Sequence, residues 1–320
     1  MLNLCDTTPV INLDEQLKES FRVRDLDQKF LYLEEGAKLF YKEKKADFLY
    51  WIFSVNEKTL KELDLQSICD KTKWASNALI SLGCGNSQTE SMILQNCDSK
   101  VNIEYFGIDI SKAMLDLSIK NLKNVWKKTN FICSDFTSNE FKSKIIDLTS
   151  KKTNRVYVMF GNIFWNFKSS KLINILNNIL KSWDKLWIDV RLKKWDTVWD
   201  DLRLFNHYRS YLNSKEQVDF FSNIFWKLWT PKENFYLYLT TFHDQVLGSL
   251  RFDFSATFTK KTTLNIAGDE FIILPNENMH IVHIYAYDYY KLINFFQEHG
   301  FVLKKMSNDD GRGHFIFEKN

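Results

Sequence analysis

The chain has 320 residues, of which 45% are hydrophobic and 16% aromatic, so it can bury one large core or two smaller ones. Its 43 basic and 40 acidic residues give a formal net charge of +3, which is too small to indicate a nucleic-acid partner. No apolar run reaches the roughly 20 residues of a membrane helix, and the N-terminus lacks a signal-peptide pattern. The five cysteines show no metal-ligand spacing. We therefore expect a cytoplasmic protein with reduced thiols, no metal, and neither a membrane nor a nucleic acid as its partner.

The first two thirds of the chain change from a helical to an alternating pattern. Residues 12–75 are predicted to be helical, because apolar residues recur at three- and four-residue steps without proline. Short apolar runs then alternate with helical patterns, including helices capped by Ser111 and by Ser169 or Ser170. The predicted strands are ALISL at 78–82, YFGIDI at 105–110, NFICSD at 130–135, RVYVMF at 155–160 and KLWIDV at 185–190. This alternation indicates βαβ units and a parallel sheet.

The pattern differs in the last third of the chain. Residues 196–230 are predicted to be helical, whereas 249–287 show a period of two. The run LRFDFSATF at 250–258 alternates apolar with polar residues, which predicts an antiparallel strand with one buried face. A final helix near 288–299 is followed by a closing strand, FIFE.

The motif LGCGNS at 82–87 follows the first strand of the parallel sheet. Gly83 and Gly85, on either side of Cys84, allow the backbone to approach a ligand closely at the carboxyl end of that strand. Asp109 ends the next strand, 24 positions after Gly85, where a carboxylate can accept hydrogen bonds from both hydroxyls of a ribose. Taken singly, these residues could serve only turn geometry or helix capping; their order and spacing favour a nucleoside cofactor.

Asp135 and Phe136 follow the third strand and complete this pattern. Asp135 could accept a hydrogen bond from an adenine amino group while Phe136 covers the ring, although an ordinary strand-to-helix turn has the same residues. A dinucleotide would need the third glycine of GxGxxG, and Thr89 or a neighbour stands there instead. The predicted cofactor is therefore S-adenosyl-L-methionine, which carries no phosphates.

These motifs give the chain a resemblance to the histidine-specific Nα-methyltransferase family of ergothioneine biosynthesis, whose relatives methylate other amino-acid amines. The resemblance extends over nearly the whole chain. The matching segments are FLYLEEGAKLF at 30–40, LGCGNS at 82–87, IDIS at 108–111, DFT at 135–137, GNIFWNF at 161–167 and NDDG at 308–311. It implies an α/β fold, with a Rossmann-like methyltransferase sheet and a second, mixed α+β domain that covers the substrate. The expected division assigns 76–195 and 286–320 to the cofactor-binding domain, and 1–75 and 196–285 to the covering domain.

The resemblance also implies roles for individual residues. Ile110 and Gly161 match motif positions that bind the cofactor. Asn166 stands where the family holds the amino and carboxylate groups of its substrate, and Tyr32 where a tyrosine lines the same pocket; both are the predicted catalytic residues. Trp199 aligns with a tyrosine that binds the substrate carboxylate. The alternative explanations are a loop-stabilising amide for Asn166 and core packing for the two aromatic residues.

The chain also departs from the family pattern in its cofactor loop and at the positions that bind imidazole. Ser81 and Thr89 replace an acidic and a basic residue of the cofactor loop. Val282 and Ile284 stand where members that bind imidazole have a glutamate and a polar residue, and neither side chain can form a hydrogen bond. His283, between them, should point to the opposite face of its strand. Histidine is therefore predicted to be a poor substrate.

The predicted function is S-adenosylmethionine-dependent methylation of the amine of an amino acid or related small molecule with an apolar or aromatic side chain. Two other classes remain open. One is a methyltransferase acting on a macromolecule; for nucleic acid, the near-neutral charge and the lack of an Asn/Asp-Pro-Pro-aromatic motif after the fourth strand argue against it. The other is a non-catalytic protein that binds the cofactor, which the replacements at Ser81 and Thr89 leave possible.

Overall fold

The computed structural model describes residues 3–6, 13–43, 63, 76–97, 101–161, 163–193, 198–244, 247–309 and 311–320. Most of the predicted helical segment beyond residue 43 lies outside these ranges. Within them, no helix combines the length and apolar character needed to cross a bilayer.

The described residues form the following strands and helices. The strands are β1 Asn3–Asp6, β2 Asn77–Leu82, β3 Ile103–Asp109, β4 Thr129–Cys133, β5 Asn154–Met159, β6 Lys185–Arg191, β7 Phe235–Asp244, β8 Ser249–Phe258, β9 Thr262–Ile266, β10 Asp269–Ile273, β11 Asn278–Ala286, β12 Phe301–Asp309 and β13 Arg312–Lys319. The helices are α1 Leu13–Arg22, α2 Glu35–Glu43, α3 Gln88–Gln95, α4 Lys112–Leu122, α5 Asn139–Leu148, α6 Ser169–Ile179, α7 Val198–Ser210, α8 Lys215–Lys227 and α9 Tyr289–Glu298. Short 3-10 turns lie at Gln28–Tyr32, Phe164–Asn166, Tyr211–Asn213 and Lys232–Asn234.

The chain divides into two compact units. The first consists of Met1–Pro9, Asp47–Lys194 and Tyr287–Asn320, and the second of Val10–Ala46 and Trp195–Ala286. The expected domains change at 75/76, 195/196 and 285/286, whereas these units change at 46/47, 194/195 and 286/287. The first nine residues belong to the sheet unit rather than to the expected covering domain, because β1 pairs in parallel with β4.

The first unit is built on an eight-stranded sheet in the order β1-β4-β3-β2-β5-β6-β13-β12. Strands β1 to β6 run parallel, and β13 is antiparallel to both of its neighbours. The chain proceeds from β2 outward through β3 to β4, then returns to add β5 and β6 on the other side. This reversal makes the carboxyl ends of β2 and β5 a topological switch point, where open α/β sheets bind ligands. The predicted α/β, Rossmann-like fold is confirmed.

The sheet is buried on both faces, which explains the uninterrupted apolar runs of its strands. All six residues of β2 are buried, and Tyr105, Phe131 and Trp187 from three other strands are fully buried in or beside the same core. The predicted Ser111 cap of α4 is confirmed, since its hydroxyl accepts the Met114 amide at 3.4 Å. The predicted serine cap of α6 is wrong: its N-cap is Lys168, and Ser169 lies in the first turn with its hydroxyl on that of Tyr287.

The second unit contains an antiparallel sheet in the order β11-β8-β7, a β9–β10 hairpin, and α1, α2, α7 and α8. The predicted helical segment 196–230 is two helices, separated by the 3-10 turn at 211–213 and by Ser214, whose hydroxyl caps α8. The prediction that β8 has one buried face is wrong. Asp253 and Ser255, on its polar face, are also fully buried because they bind the side chains of His283 and His280.

Candidate cofactor site

The residues predicted to bind the cofactor meet at one edge of the parallel sheet. Gly83 and Gly85 follow β2, Asp109 ends β3, Asp135 follows β4 and Gly161 follows β5. Since β4, β3, β2 and β5 are consecutive neighbours in the sheet, these five positions border the switch point side by side. These residues are far apart in sequence but near one another in the sheet, because parallel strands place their carboxyl ends at the same edge.

Asp109 is anchored by the loop on either side of it. Its Oδ2 accepts the Gly85 amide at 2.8 Å, and its Oδ1 accepts the Ser111 amide at 2.8 Å. The residue is 8% exposed. A carboxylate offers about four lone-pair positions, so these two bonds are compatible with further bonds to the two hydroxyls of a ribose.

Two glycines border open space at this edge. Gly85 and Gly161 have φ values of 53° and 64°, and a Cβ atom built on either would meet no atom of the described residues within 4 Å, its chain neighbours aside. Gly83 differs, because a Cβ there would lie 2.5 Å from Cδ1 of Ile163. Bare backbone next to an anchored carboxylate fits a ligand whose ribose lies close to the main chain. The residues present therefore fit S-adenosylmethionine.

Cys84, between the two loop glycines, contributes through its backbone. Its amide donates to the Ile108 carbonyl at 2.8 Å and its carbonyl accepts the Ser87 amide at 2.8 Å. Burial raises the pKa of the Cys84 thiol well above its usual value, so the thiol stays protonated and is not a nucleophile. Ile110, predicted beside it as a cofactor residue, is half-buried, and its carbonyl accepts from the Cys133 thiol at 3.6 Å.

The turn after β4 places Asp135 and Phe136 at the same edge. Oδ1 of Asp135 accepts both the amide and the hydroxyl of Thr137, at 2.9 and 2.6 Å, which fixes the carboxylate. The ring centroid of Phe136 lies 5.6 Å from that of Phe167. The loop that follows β4 therefore contacts the loop that follows β5.

A buried polar cluster, which the sequence analysis missed, underlies the glycine loop. Ser87 has a φ of 51°, and its hydroxyl contacts those of Tyr105, at 2.8 Å, and Ser118. Ser81 donates to the carboxylate of Glu90, which comes from α3 and is 3% exposed. A carboxylate thus does lie at the end of β2, supplied by the first turn of the next helix. In the sequence, Glu90 is recognisable only as an acidic residue near the start of a helix.

The predicted catalytic residues lie in different units. Asn166 ends the 3-10 turn Phe164–Asn166 of the first unit; its amide donates to the Ile163 carbonyl at 3.3 Å, and the residue is partly exposed. Tyr32 ends a 3-10 turn of the second unit. Its ring centroid lies 5.0 Å from that of Phe40 and 5.4 Å from that of Phe220, so the ring belongs to an aromatic group that joins α2 to α8.

The remaining predicted substrate residues also belong to the second unit. Trp199 lies in the first turn of α7 and is 80% exposed. Val282 and Ile284 lie on β11, opposite Phe254 and Phe252 of β8, and are 4% and 9% exposed. The two aliphatic side chains therefore share the apolar face of the sheet.

His283 points to the other face, as expected from the alternation of a strand. Its Nδ1 lies 2.7 Å from Oδ1 of Asp253, and its Nε2 lies 3.0 Å from Oδ1 of Asp25. Burial lowers the pKa of His283, but the hydrogen bonds and charges of the two aspartates outweigh it and raise the pKa to about 9. The charged imidazole ties the segment around Asp25 to the sheet.

The profile of a family described as histidine-specific, SAM-dependent methyltransferases matches residues 12–317. A search of curated proteins found no match.

Several solved structures have a similar chain path at low sequence identity. The PH0226 protein from Pyrococcus horikoshii OT3 is 12% identical with a TM-score of 0.47, covering 90% of this chain and 100% of that one. Magnesium protoporphyrin IX methyltransferase from Synechocystis PCC 6803, solved with bound SAM, is 9% identical with a TM-score of 0.47, covering 92% and 98%. An S-adenosylmethionine-dependent methyltransferase from Clostridium acetobutylicum is 10% identical with a TM-score of 0.39, covering 80% and 94%. Because the family profile extends over almost the whole chain, the protein belongs to the histidine-specific, SAM-dependent methyltransferase family.

Proposed function

We propose that this methyltransferase acts on the amine of an amino acid whose side chain is apolar or aromatic, and that histidine is a poor acceptor. The observation that carries the proposal is the pair Val282 and Ile284. Both are aliphatic, both are nearly buried, and both share the apolar face of β11 with no polar group of their own to offer an imidazole.

S-adenosylmethionine, when bound, supplies an electrophilic methyl group on a sulfonium. Asp109 would bind the ribose hydroxyls, while Gly85 and Gly161 would allow the backbone to lie close to the ligand. Asp135 would accept from the adenine amino group, with Phe136 against the ring. The protein's contribution to methyl transfer is then mainly the alignment of the attacking nitrogen with the methyl carbon.

The acceptor amine must be neutral when it attacks. The carbonyl oxygen of the Asn166 amide can accept a hydrogen bond from the amine and so direct its lone pair. A tyrosine hydroxyl or a water molecule would relay the released proton. The indole N–H of Trp199 can donate to a carboxylate, although it cannot accept as a phenol would.

The preference for an apolar side chain follows from the cost of unpaired polar groups. A ring nitrogen of histidine buried against Val282 or Ile284 without a partner would cost roughly 1–3 kcal/mol. An indole, phenyl or alkyl group at the same place would gain about 25 cal/mol for each Å² of apolar area removed from water. The cost for histidine and the gain for an apolar side chain both favour an apolar acceptor.

The test exchanges these two residues. The double variant Val282→Glu with Ile284→Ser should raise kcat/KM for histidine and lower it for tryptophan. Val282→Ala with Ile284→Ala is the matched control, because it shortens both side chains without adding a polar group and should leave histidine a poor acceptor. Efficient methylation of histidine by the unaltered protein, with tryptophan and other apolar amino acids inert, would refute the proposal.

A further inference from the structure

A buried ion pair joins β6 to β13 in the sheet of the first unit. Asp189 and Arg312 are 0% and 1% exposed. Nε of Arg312 donates to Oδ1 of Asp189 at 2.6 Å, and a second guanidinium nitrogen donates to Oδ2. The two side chains are therefore held in a bidentate arrangement, which fixes the plane of the carboxylate.

The same carboxylate reaches the loop after β5. Oδ2 of Asp189 accepts the Gly161 amide at 3.2 Å. Gly161 has a φ of 64°, and it begins the loop 161–167 that carries Asn166. The ion pair thus holds the backbone at the point where the loop leaves the switch point of the sheet.

The charges of the pair are well defined. Burial opposes ionisation of Asp189, but the nearby Arg312 guanidinium outweighs it and holds the pKa of the carboxyl below its usual value. His314, opposite Asp189 in the sheet, does not compete with Arg312 as the cation. Burial lowers the pKa of His314 to about 4, and its Nδ1 accepts from the Trp187 indole at 3.2 Å.

Stability alone does not account for such a pair. A buried ion pair often contributes no more to folding than apolar residues of the same volume, because removing two charges from water costs as much as their attraction returns. What apolar residues would not provide is an acceptor for the Gly161 amide.

We propose that Asp189 and Arg312 are positioning residues of the cofactor site: Asp189 sets the orientation of the Gly161 backbone, and Arg312 holds Asp189 in place. This inference rests on Gly161 lying beside the bound cofactor, as proposed above. In this role the pair acts through the Gly161 amide that Asp189 accepts, and not through a contact of its own with the cofactor or the acceptor.

Two double variants separate positioning from charge. Asp189→Asn with Arg312→Gln removes both charges but keeps a carbonyl oxygen for the Gly161 amide. Asp189→Leu with Arg312→Met removes the charges and the acceptor together. The Leu/Met protein should bind S-adenosylhomocysteine about tenfold more weakly than the unaltered protein, as expected for the loss of one oriented contact, whereas the Asn/Gln protein should stay much closer to it.

A spectroscopic readout reports the hydrogen bond without reference to function. In protein labelled at its 10 glycines, the Gly161 amide proton should resonate downfield, shift partly upfield in the Asn/Gln protein and furthest in the Leu/Met protein. The partial shift of the Asn/Gln protein remains measurable even if the Leu/Met protein does not fold.

The control is a second ion pair of the same sheet. Nε of Arg155 donates to Oδ1 of Asp184 at 2.7 Å. This pair lies at the amino-terminal ends of β5 and β6, whereas the candidate cofactor site lies at the carboxyl ends of the strands. Arg155→Gln with Asp184→Asn should lower the thermal midpoint without changing cofactor affinity or the Gly161 resonance.

The outcomes distinguish the inference from the proposed function. Unchanged affinity, or an unchanged Gly161 resonance, in the Leu/Met protein would overturn the positioning role while the unaltered protein still binds the cofactor. Failure of the unaltered protein to bind S-adenosylhomocysteine would instead refute the assignment of the cofactor site.

Discussion

Asp109 is the residue on which the proposed cofactor site depends most. Asp109→Ala would remove the proposed acceptor for the ribose hydroxyls and would release the Gly85 and Ser111 amides that the carboxylate now holds. We expect a loss of roughly 2–4 kcal/mol in the binding free energy of S-adenosylhomocysteine, measured by calorimetry. Asp109→Asn keeps one acceptor oxygen, so its affinity for S-adenosylhomocysteine should fall between those of the unaltered protein and Asp109→Ala.

An exposed carboxylate close by in the chain provides the control for this prediction. Asp116 lies on the surface of α4, and Asp116→Ala removes the same charge without touching the switch point. It should leave cofactor affinity unchanged. Equal affinities for the Asp109→Ala, Asp116→Ala and unaltered proteins would show that Asp109 does not bind the ribose.

The residues of this site differ in how far the sequence predicts them. Gly85, Asp109 and Asp135 each stand at the carboxyl end of a strand of one parallel sheet, so local pattern and chain order suffice to bring them to one edge. Glu90 and Asp189 do not follow this rule. Their roles depend on which partner the fold places opposite them, Ser81 for one and Arg312 for the other, and those partners are set by packing and strand order.

At the scale of an element, the turn from β2 to α3 is supported by the hydroxyl of Tyr105, which comes from β3. Tyr105 contacts Ser87, a non-glycine residue held at positive φ, at 2.8 Å. Tyr105→Phe should therefore relax the turn, costing about 1 kcal/mol of unfolding free energy and weakening cofactor binding by a similar amount. Urea unfolding and calorimetric titration measure the two effects.

The matched control is a second buried tyrosine of the sheet. Tyr157, on β5, is a core residue with 1% of its surface exposed. Its hydroxyl interacts with Thr149 and not with the turn from β2 to α3. Tyr157→Phe should lower stability by a comparable amount and leave cofactor affinity as it was. If Tyr105→Phe also leaves affinity as it was, the turn does not depend on this hydroxyl.

Elements with one clear period are predicted well, and those with mixed signals are not. Strands β2 to β6 appear within two residues of their predicted bounds, because runs buried on both faces are distinctive. The prediction of one buried face for β8 is wrong because Asp253 and Ser255 have the polar character of a solvated face. Their burial depends on His283 and His280 from β11, which local pattern does not reveal.

At the scale of the whole molecule, two histidines, the half-buried His283 and the buried His314, give the two units opposite responses to pH. In the second unit, the pKa of His283 is raised from 6.5 to about 9 by its aspartate partners. A raised pKa stabilises the folded state fully below pH 6.5, and this contribution is lost as the pH rises through about 9. The loss should be on the order of 3 kcal/mol.

In the first unit, the pKa of His314 is lowered by burial from 6.5 to about 4. Because the folded state resists protonation of this imidazole, it loses stability relative to the unfolded chain as the pH falls from 6.5 to about 4, on the order of 3 kcal/mol in all. Stability should therefore be greatest near neutral pH and decline on both sides.

Urea unfolding across this pH range tests both losses of stability, the one above neutral pH (the alkaline limb) and the one below it (the acid limb). His283→Gln should flatten the alkaline limb and leave the acid limb, whereas His314→Gln should do the reverse. An alkaline limb that persists in His283→Gln would show that the Asp25 and Asp253 contacts do not hold a charged imidazole.

The acceptor profile tests the central claim of this account most directly. The unaltered protein is incubated with methyl-labelled S-adenosylmethionine and a pool of amino acids and amines, and the labelled products are identified by mass spectrometry. We predict label on the α-amine of one or more amino acids with apolar or aromatic side chains, with histidine labelled weakly or not at all. Label on histidine with the apolar amino acids inert, or consumption of no cofactor with any member of the pool, would contradict the account.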